Sequence, residues 1–494
     1  MDVKTVGRVT ATLPADDEHP YRTGAWRPNT SEVDAFDLEV IGELPDDLDG
    51  VYLRNTENPV HDAIGLYHPF DGDGMVHQLR FHEGRAEYRN RFVRTVGFEA
   101  EQEEGGPLWT GLLDLPEHSK REDGWGARGR MKDASSTDVV VHAGRALTSF
   151  YQCGDLYVHD PLTLEPLGRE TWGGRFPVEG VSAHTKVDEA TGELLFFNYG
   201  KQAPYMHYGV VSPDDELVHY VDIPLPGPRL THDMAFTEHY AILNDCPLFW
   251  DPNLLGQGYH VPKFFPDIPT RFGIIPRRGE TSDLRWFEAE PTFVLHWINA
   301  FEDGDEVVLD GFFQGDPEPA KRPQAGRWQS IYRYLDLERL QVRPRRWRFN
   351  LVTGLTKEED LSDRVMEFGM INNSVAGRPY RYAYNMTAEP GWFLFDGIVK
   401  HDLQRGTEER YAFGPGVFGS ETPMAPRPGA TEEDDGYLVT FTTDVNADRS
   451  ECLVLDARDI GAGPIARVRL PHRISSGTHS CWASARQLSG GFAR

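Results

Sequence analysis

The chain has 494 residues, 39% of them hydrophobic and 12% aromatic, with 49 glycines and 35 prolines scattered along it. At ~150 residues per domain, that length fits about three domains or one large architecture, and the composition excludes disorder as the main state. Fifty Lys and Arg stand against 78 Asp and Glu, a net charge of −28 at pH 7 that excludes unassisted contact with nucleic-acid phosphate.

The first residues, Met1 to Thr12, have neither a basic start nor an apolar core, and no stretch reaches the ~18 apolar residues of a spanning helix. A cytoplasmic location is expected. Cys153, Cys246, Cys452 and Cys481 lie far apart without a C-x-x-C pair, so they read as buried free thiols in a reducing compartment.

Helix-period segments are scarce. Short runs rich in Val, Ile, Tyr, Phe and Thr, bounded by Gly, Asp, Asn or Pro, recur instead: Asp138–His142, Ala146–Tyr151, Leu194–Tyr199, His239–Leu243, Glu306–Phe313, Tyr380–Tyr384, Tyr437–Thr442 and Glu451–Leu455. Turn signals such as Glu189-Ala190-Thr191-Gly192 and Asp434-Asp435-Gly436 precede several of them, so they read as hairpins. Many meander strands without intervening helices predict an all-β fold, better suited to a propeller than to a two-sheet sandwich. No W-D or kelch signature is present, so spacing alone gives no blade number. Two irregular stretches interrupt the pattern. Pro247–Pro276, with Phe249, Trp250, Leu254, Leu255, Phe264 and Phe265, is apolar enough for a lid, a tunnel mouth or a rim that touches a membrane, and Phe312–Trp328 is rich in Pro, Gln and Arg.

Four of the 18 histidines lie where a turn meets an apolar run: His184, His232, His296 and His479, separated by 48, 64 and 183 residues. Such intervals exclude short-range metal motifs, and there is no H-E-x-x-H. They suit a fold that brings several strand ends to one axis, where imidazoles would bind a divalent first-row metal without adding negative charge. Satisfied core histidines are the alternative. Asp71-Gly-Asp-Gly74 resembles the start of a calcium loop, but no Glu follows at the twelfth position, and tight turns explain it.

Together with these histidine segments, Tyr52-Leu-Arg-Asn, Phe70-Asp-Gly-Asp-Gly-Met-Val-His77, Tyr88-Arg-Asn-Arg-Phe-Val-Arg-Thr95, Glu367-Phe-Gly-Met-Ile-Asn372, Glu421-Thr-Pro-Met-Ala-Pro-Arg427 and Asp434-Asp-Gly-Tyr-Leu438 resemble the carotenoid cleavage oxygenase family, in order, from about Asp34 to Trp482. The resemblance implies residues 1–33 as an N-terminal extension and 34–494 as one propeller domain. It also implies a seven-bladed β-propeller with a dome of loops and helices over an axial metal site. One Fe(II) per chain would be held by His184, His232, His296 and His479, and a conjugated C=C bond would be cleaved with O2 into two carbonyl products.

Glu367 and Glu421 match two outer carboxylates of the family, and Gln152 stands where a third is usual. A Gln carbonyl can still accept an imidazole N–H but supplies no charge. Phe70, Tyr151 and Leu295 resemble substrate-lining positions, with plain core packing as the alternative. Stilbenoid-cleaving members of the family typically carry Lys where Tyr151 stands, so an apolar carotenoid or apocarotenoid is the expected substrate and a stilbenoid or phenylpropene the alternative. A propeller glycosidase using a pair among Asp71, Asp233, Asp310 and Glu421 would leave the four histidines unexplained. A non-enzymatic scaffold would need no buried metal.

Overall fold

Glycine- and aspartate-bounded turns separate short antiparallel strands throughout the computed structural model, which describes residues 1–122, 131–255, 262–322, 324 and 326–490. The hairpin joining Lys186–Val187 to Leu194–Tyr199 shows how the local sequence does this. The Gly192 N–H donates to Asp188 O at 2.7 Å, and Gly192 takes φ +75°, a conformation that a Cβ would disfavour.

The chain divides into two units. The first comprises Met1–Ala183, Pro213–Glu216 and the described chain from Phe413 onward. It holds a six-stranded sheet in the order Asp2–Arg8, Ser31–Phe36, Arg85–Phe92, Gly74–His82, Gly50–Glu57, Ser480–Ser484. A four-stranded sheet follows, from Asp138–His142 outward to Pro166–Arg169. The third runs Val417–Phe418, Gly436–Asp444, Arg449–Asp456, Pro464–Arg469, Val40–Gly42. Chain beginnings and chain ends are therefore interleaved twice. Trp482 pairs with Tyr52, and Val40 pairs with Val468. Part of the segment expected as an extension forms an edge strand, Asp2–Arg8 on Ser31–Phe36.

The second unit, His184–Ser212 with Leu217–Ala412, contains four successive four-stranded meanders, each antiparallel between sequence neighbours. They begin at Lys186–Val187, Ala235–Phe236, Val294–Asp303 and Met366–Met370. A two-stranded ribbon, Leu248–Trp250 with Pro262–Phe264, is inserted in the second meander. Among the described residues this makes seven blade-like sheets, three in the first unit and four in the second.

Each unit has its own core, because every strand presents alternate side chains to one face. In the first, Tyr52, Leu79, Tyr88, Phe441, Val454 and Val468 are buried together. In the second, Phe272, Phe287, Trp297, Leu309, Trp347 and Phe349 are. Among the described residues no helix is long and apolar enough to cross a membrane.

The ribbon corrects one picture of the apolar stretch. Phe249 and Trp250 are buried, Phe249 stacks on Phe265 at 4.3 Å, and the Arg229 guanidinium lies 3.9 Å from the Phe249 ring centroid. Phe264 is 9% exposed. Phe249, Trp250 and Phe264 thus pack inward and Phe265 is half-buried, whereas residues 256–261 and the Leu255 side chain lie outside the described residues.

His159, on the strand Tyr157–His159, is 1% exposed, and burial pulls its pKa down to about 4. The unfolded chain, with an ordinary value near 6.5, then binds a proton that the folded chain rejects, so stability is lost as pH falls from 6.5 to 4. His159→Phe should remove that loss. Its stability relative to the parent is expected to rise by on the order of 3 kcal/mol between pH 7 and pH 4, read from urea unfolding at both values.

Candidate metal centre

His184, His232 and His296 are far apart in sequence because each stands at or near the first strand of a different meander in the second unit. His184 precedes Lys186–Val187 and is held at φ +64°, a left-handed conformation that costs a non-glycine residue about 1 kcal/mol or more. His232 precedes Ala235–Phe236. His296 lies on Val294–Asp303, where the pairing with Glu306–Gln314 shifts register between Val294 and Trp297. Gly311 faces Trp297 there, and a Cβ on it would lie 2.3 Å from the indole, so only glycine lets the ring lie across that strand.

The three rings converge. Their centroids are 4.7 Å apart for His184 and His232, 5.0 Å for His184 and His296, and 5.2 Å for His232 and His296. One ring nitrogen from each lies within 4.8 Å of the other two, and all three residues are buried. The Nε2 atoms of His184 and His232 are 3.1 Å apart. Two nitrogens each ~2.05 Å from one ion would be separated by about 2.9 Å at a right angle and about 3.3 Å at a tetrahedral angle, so the cluster fits a shared cation. The donor set, neutral imidazole without a carboxylate, suits a first-row transition metal over calcium or magnesium.

Behind His296, Nδ1 lies 2.6 Å from Oε2 of Glu367, a fully buried carboxylate that also accepts the Phe368 N–H at 2.5 Å. Phe368 takes φ +52° and stacks on the His296 ring at 4.9 Å with an interplanar angle of 23°. The carboxylate holds a proton on Nδ1 and leaves the Nε2 lone pair for a metal.

In the first unit, Nδ1 of buried His479 lies 2.9 Å from Oε1 of Glu421, whose Oε2 accepts the Ser480 N–H at 2.7 Å. Burial works against a charged His479 ring, but Glu421 overrides it and raises the pKa to about 9. Tyr151 is buried with Phe150, Ala134 and Ala183, and its ring centroid is 5.9 Å from that of Phe70. Gln152 is half-buried on the turn after Arg145–Ser149. Leu295, half-buried, is the neighbour of His296 in the second unit.

The carboxylates weighed for glycosidase chemistry are all engaged. Asp310 binds Arg346 through both oxygens at 2.8 Å and accepts the Tyr380 hydroxyl at 2.6 Å. Asp71 accepts backbone N–H groups of Leu112 and His68, Glu421 holds His479, and Asp233 is 2.7 Å from the Lys186 ammonium. Burial raises the Asp233 pKa, opposed by Lys186. The Lys186–Asp233 pair was not legible as part of the site in sequence, although each residue stands within two positions of a histidine of the cluster.

Seven blade-like sheets and a cluster of buried imidazoles able to hold a metal define the class of β-propeller proteins with a candidate metal site, and comparison with known proteins specifies the family. The family model described as retinal pigment epithelial membrane protein matches residues 26–484. Carotenoid 9,10(9',10')-cleavage dioxygenase 1 of Phaseolus vulgaris is 34% identical, over 95% of this chain and 90% of its own. The crystal structure of Pseudomonas brassicacearum lignostilbene dioxygenase superposes with a TM-score of 0.85 at 29% identity, over 96% of this chain and 100% of the other. Cobalt-substituted apocarotenoid oxygenase of Synechocystis gives a TM-score of 0.81 at 28% identity, over 93% and 97%. The chain belongs to the carotenoid cleavage oxygenase family. It is an oxygenase with the seven-bladed β-propeller fold.

Oε2 of Glu367 serves both the His296 ring and the Phe368 N–H, and Glu367→Gln leaves a carbonyl oxygen in that place but removes the negative charge. Metal affinity is expected to fall about 10- to 100-fold in a Co(II) titration of the metal-free protein. An unchanged affinity would show that Glu367 does not act on the metal through His296.

Proposed function

We propose that this chain is a non-haem Fe(II)-dependent dioxygenase that cleaves a conjugated C=C bond of a carotenoid or apocarotenoid with O2, giving two carbonyl products. One iron per chain is held by His184, His232, His296 and His479. The observation that carries this reading is the convergence of three buried imidazoles with no carboxylate among them. When bound, iron supplies the redox-active centre at which O2 is made reactive toward an alkene.

The protein's own part is orientation and exclusion of water. Glu367 fixes the tautomer of His296, and Glu421 does the same for His479, so each presents Nε2. Neutral ligands add no negative charge to the centre, which favours the +2 state. Gln152, an amide in place of a third carboxylate, would continue that trend at its own histidine. Phe70, Tyr151 and Leu295 line the path of the polyene. No group has to act as general acid or base, which accords with the engagement of Asp71, Asp233 and Asp310 in structural bonds.

A stilbenoid substrate is the second reading, favoured by the likeness to lignostilbene dioxygenase along the whole chain. The working location in this reading is the cytoplasm, with peripheral contact at a membrane surface from which an apolar polyene is drawn. Co-sedimentation with liposomes checks that contact.

His232→Ala is expected to abolish stoichiometric iron and lower O2-dependent cleavage at least ~100-fold while the propeller stays folded. His239→Ala is the control, because His239 is exposed and hydrogen-bonds Glu302 at 3.0 Å. Metal analysis and product masses from a panel of apocarotenoids and hydroxystilbenes read the result. Equal iron and equal turnover in the two variants would overturn the ligand assignment, and cleavage confined to stilbenes would select the second reading.

A further inference from the structure

We propose that Asp233 is a positioning residue for the three-imidazole cluster, acting with Lys186 as a clamp on the chain beside all three histidines. This rests on the metal-binding reading above and adds to it the element that sets the spacing of the rings.

Asp233 directly follows His232. Its Oδ1 accepts the Lys186 ammonium at 2.7 Å and the Met234 N–H at 2.7 Å. Its Oδ2 accepts the Trp297 N–H at 3.0 Å. Lys186 is two residues beyond His184, and Trp297 one beyond His296. One carboxylate therefore touches three segments, each leaving a histidine of the cluster and each belonging to a different meander. The contact with Trp297 is to the peptide group that joins it to His296. Because a peptide group is planar, fixing that N–H fixes the direction of the His296 carbonyl and the course of the strand that carries the ring. Asn244 adds a second tie, its side-chain amide donating to the Asp233 carbonyl at 2.7 Å.

The arrangement is costly as a mere brace. Asp233 is 2% exposed, and placing a carboxylate there requires desolvation that a pair of apolar side chains would avoid. The charge allows one small group to accept three donors from three directions, which an amide or an alkyl group cannot do. Phe368, Glu367 and their neighbours orient one ring. Asp233 relates the three rings to one another.

The test is a Co(II) titration of the full-length, metal-free protein, followed by visible absorption, with Asp233→Asn, Lys186→Gln and the double variant. In Asp233→Asn only one acceptor oxygen remains, so an N–H2 faces either the Lys186 and Met234 donors or the Trp297 N–H, and Co(II) affinity is expected to fall about 10- to 100-fold with a shifted visible band. Lys186→Gln, at a partly exposed side chain, should move affinity and band in the same direction. The double variant should lose at least about threefold less than the product of the two single losses, since its new amide can donate to the Gln carbonyl. A purely structural pair would lower the unfolding temperature while leaving Co(II) affinity and spectrum at parental values, and that result overturns the proposal. If Asp233→Asn does not fold, Lys186→Gln alone decides. A parent that binds no Co(II) overturns the metal reading and the clamp with it, whereas parental binding retained in Lys186→Gln overturns the clamp alone.

Discussion

A buried imidazole presents a chosen nitrogen only if its other nitrogen has a fixed acceptor, and in this protein that acceptor is an ionisable carboxylate at 2.6 Å from His296 and at 2.9 Å from His479. Much of the local structure follows from this requirement. Glu367 is fully buried, so its carboxylate needs donors, and the N–H of Phe368, a residue in a left-handed conformation, supplies one. The Phe368 ring then lies flat on His296, with Phe393 and Phe395 packed edge-on behind it. Carboxylate, strained backbone and aromatic cluster are thus one device for holding one ring.

The strands were legible in sequence because their signal is local. Asp138–His142 and Leu194–Tyr199 are bounded in the structure as the sequence reading placed them, since each is a β-branched or aromatic run between a glycine-rich turn and a polar residue. The four histidines stood out because each met an apolar run at a turn. What the sequence could not carry was the identity of partners across blades. Nothing local relates Lys186 to Asp233 or Arg346 to Asp310. The pairing of Val40–Gly42 with Pro464–Arg469 depends on sheet closure over more than four hundred residues, which no window of periodicity registers.

The aromatic ribbon shows the same limit from another side. Composition alone gave Phe249, Trp250, Phe264 and Phe265 two equally good fates, exposure at an interface or burial under a lid. Arg229 and Phe265 decide the case for Phe249, by a guanidinium over its ring and a ring stacked against it. Apolar content reports how much surface must be hidden, but the residues that hide it are set by the fold.

The two interleaved sheets of the first unit impose an order of events during synthesis. The strand Gly50–Glu57 is made early but gains its neighbour Ser480–Ser484 only when the chain is almost finished, and Val40–Gly42 likewise waits for Pro464–Arg469. The second unit, which spans little more than residues 184 to 412, has all its strands in hand well before then. On the ribosome, His184, His232 and His296 can come together while His479 is still unmade. A chain stopped short of its last strand would keep three imidazoles and leave the edge of Gly50–Glu57 open to another molecule.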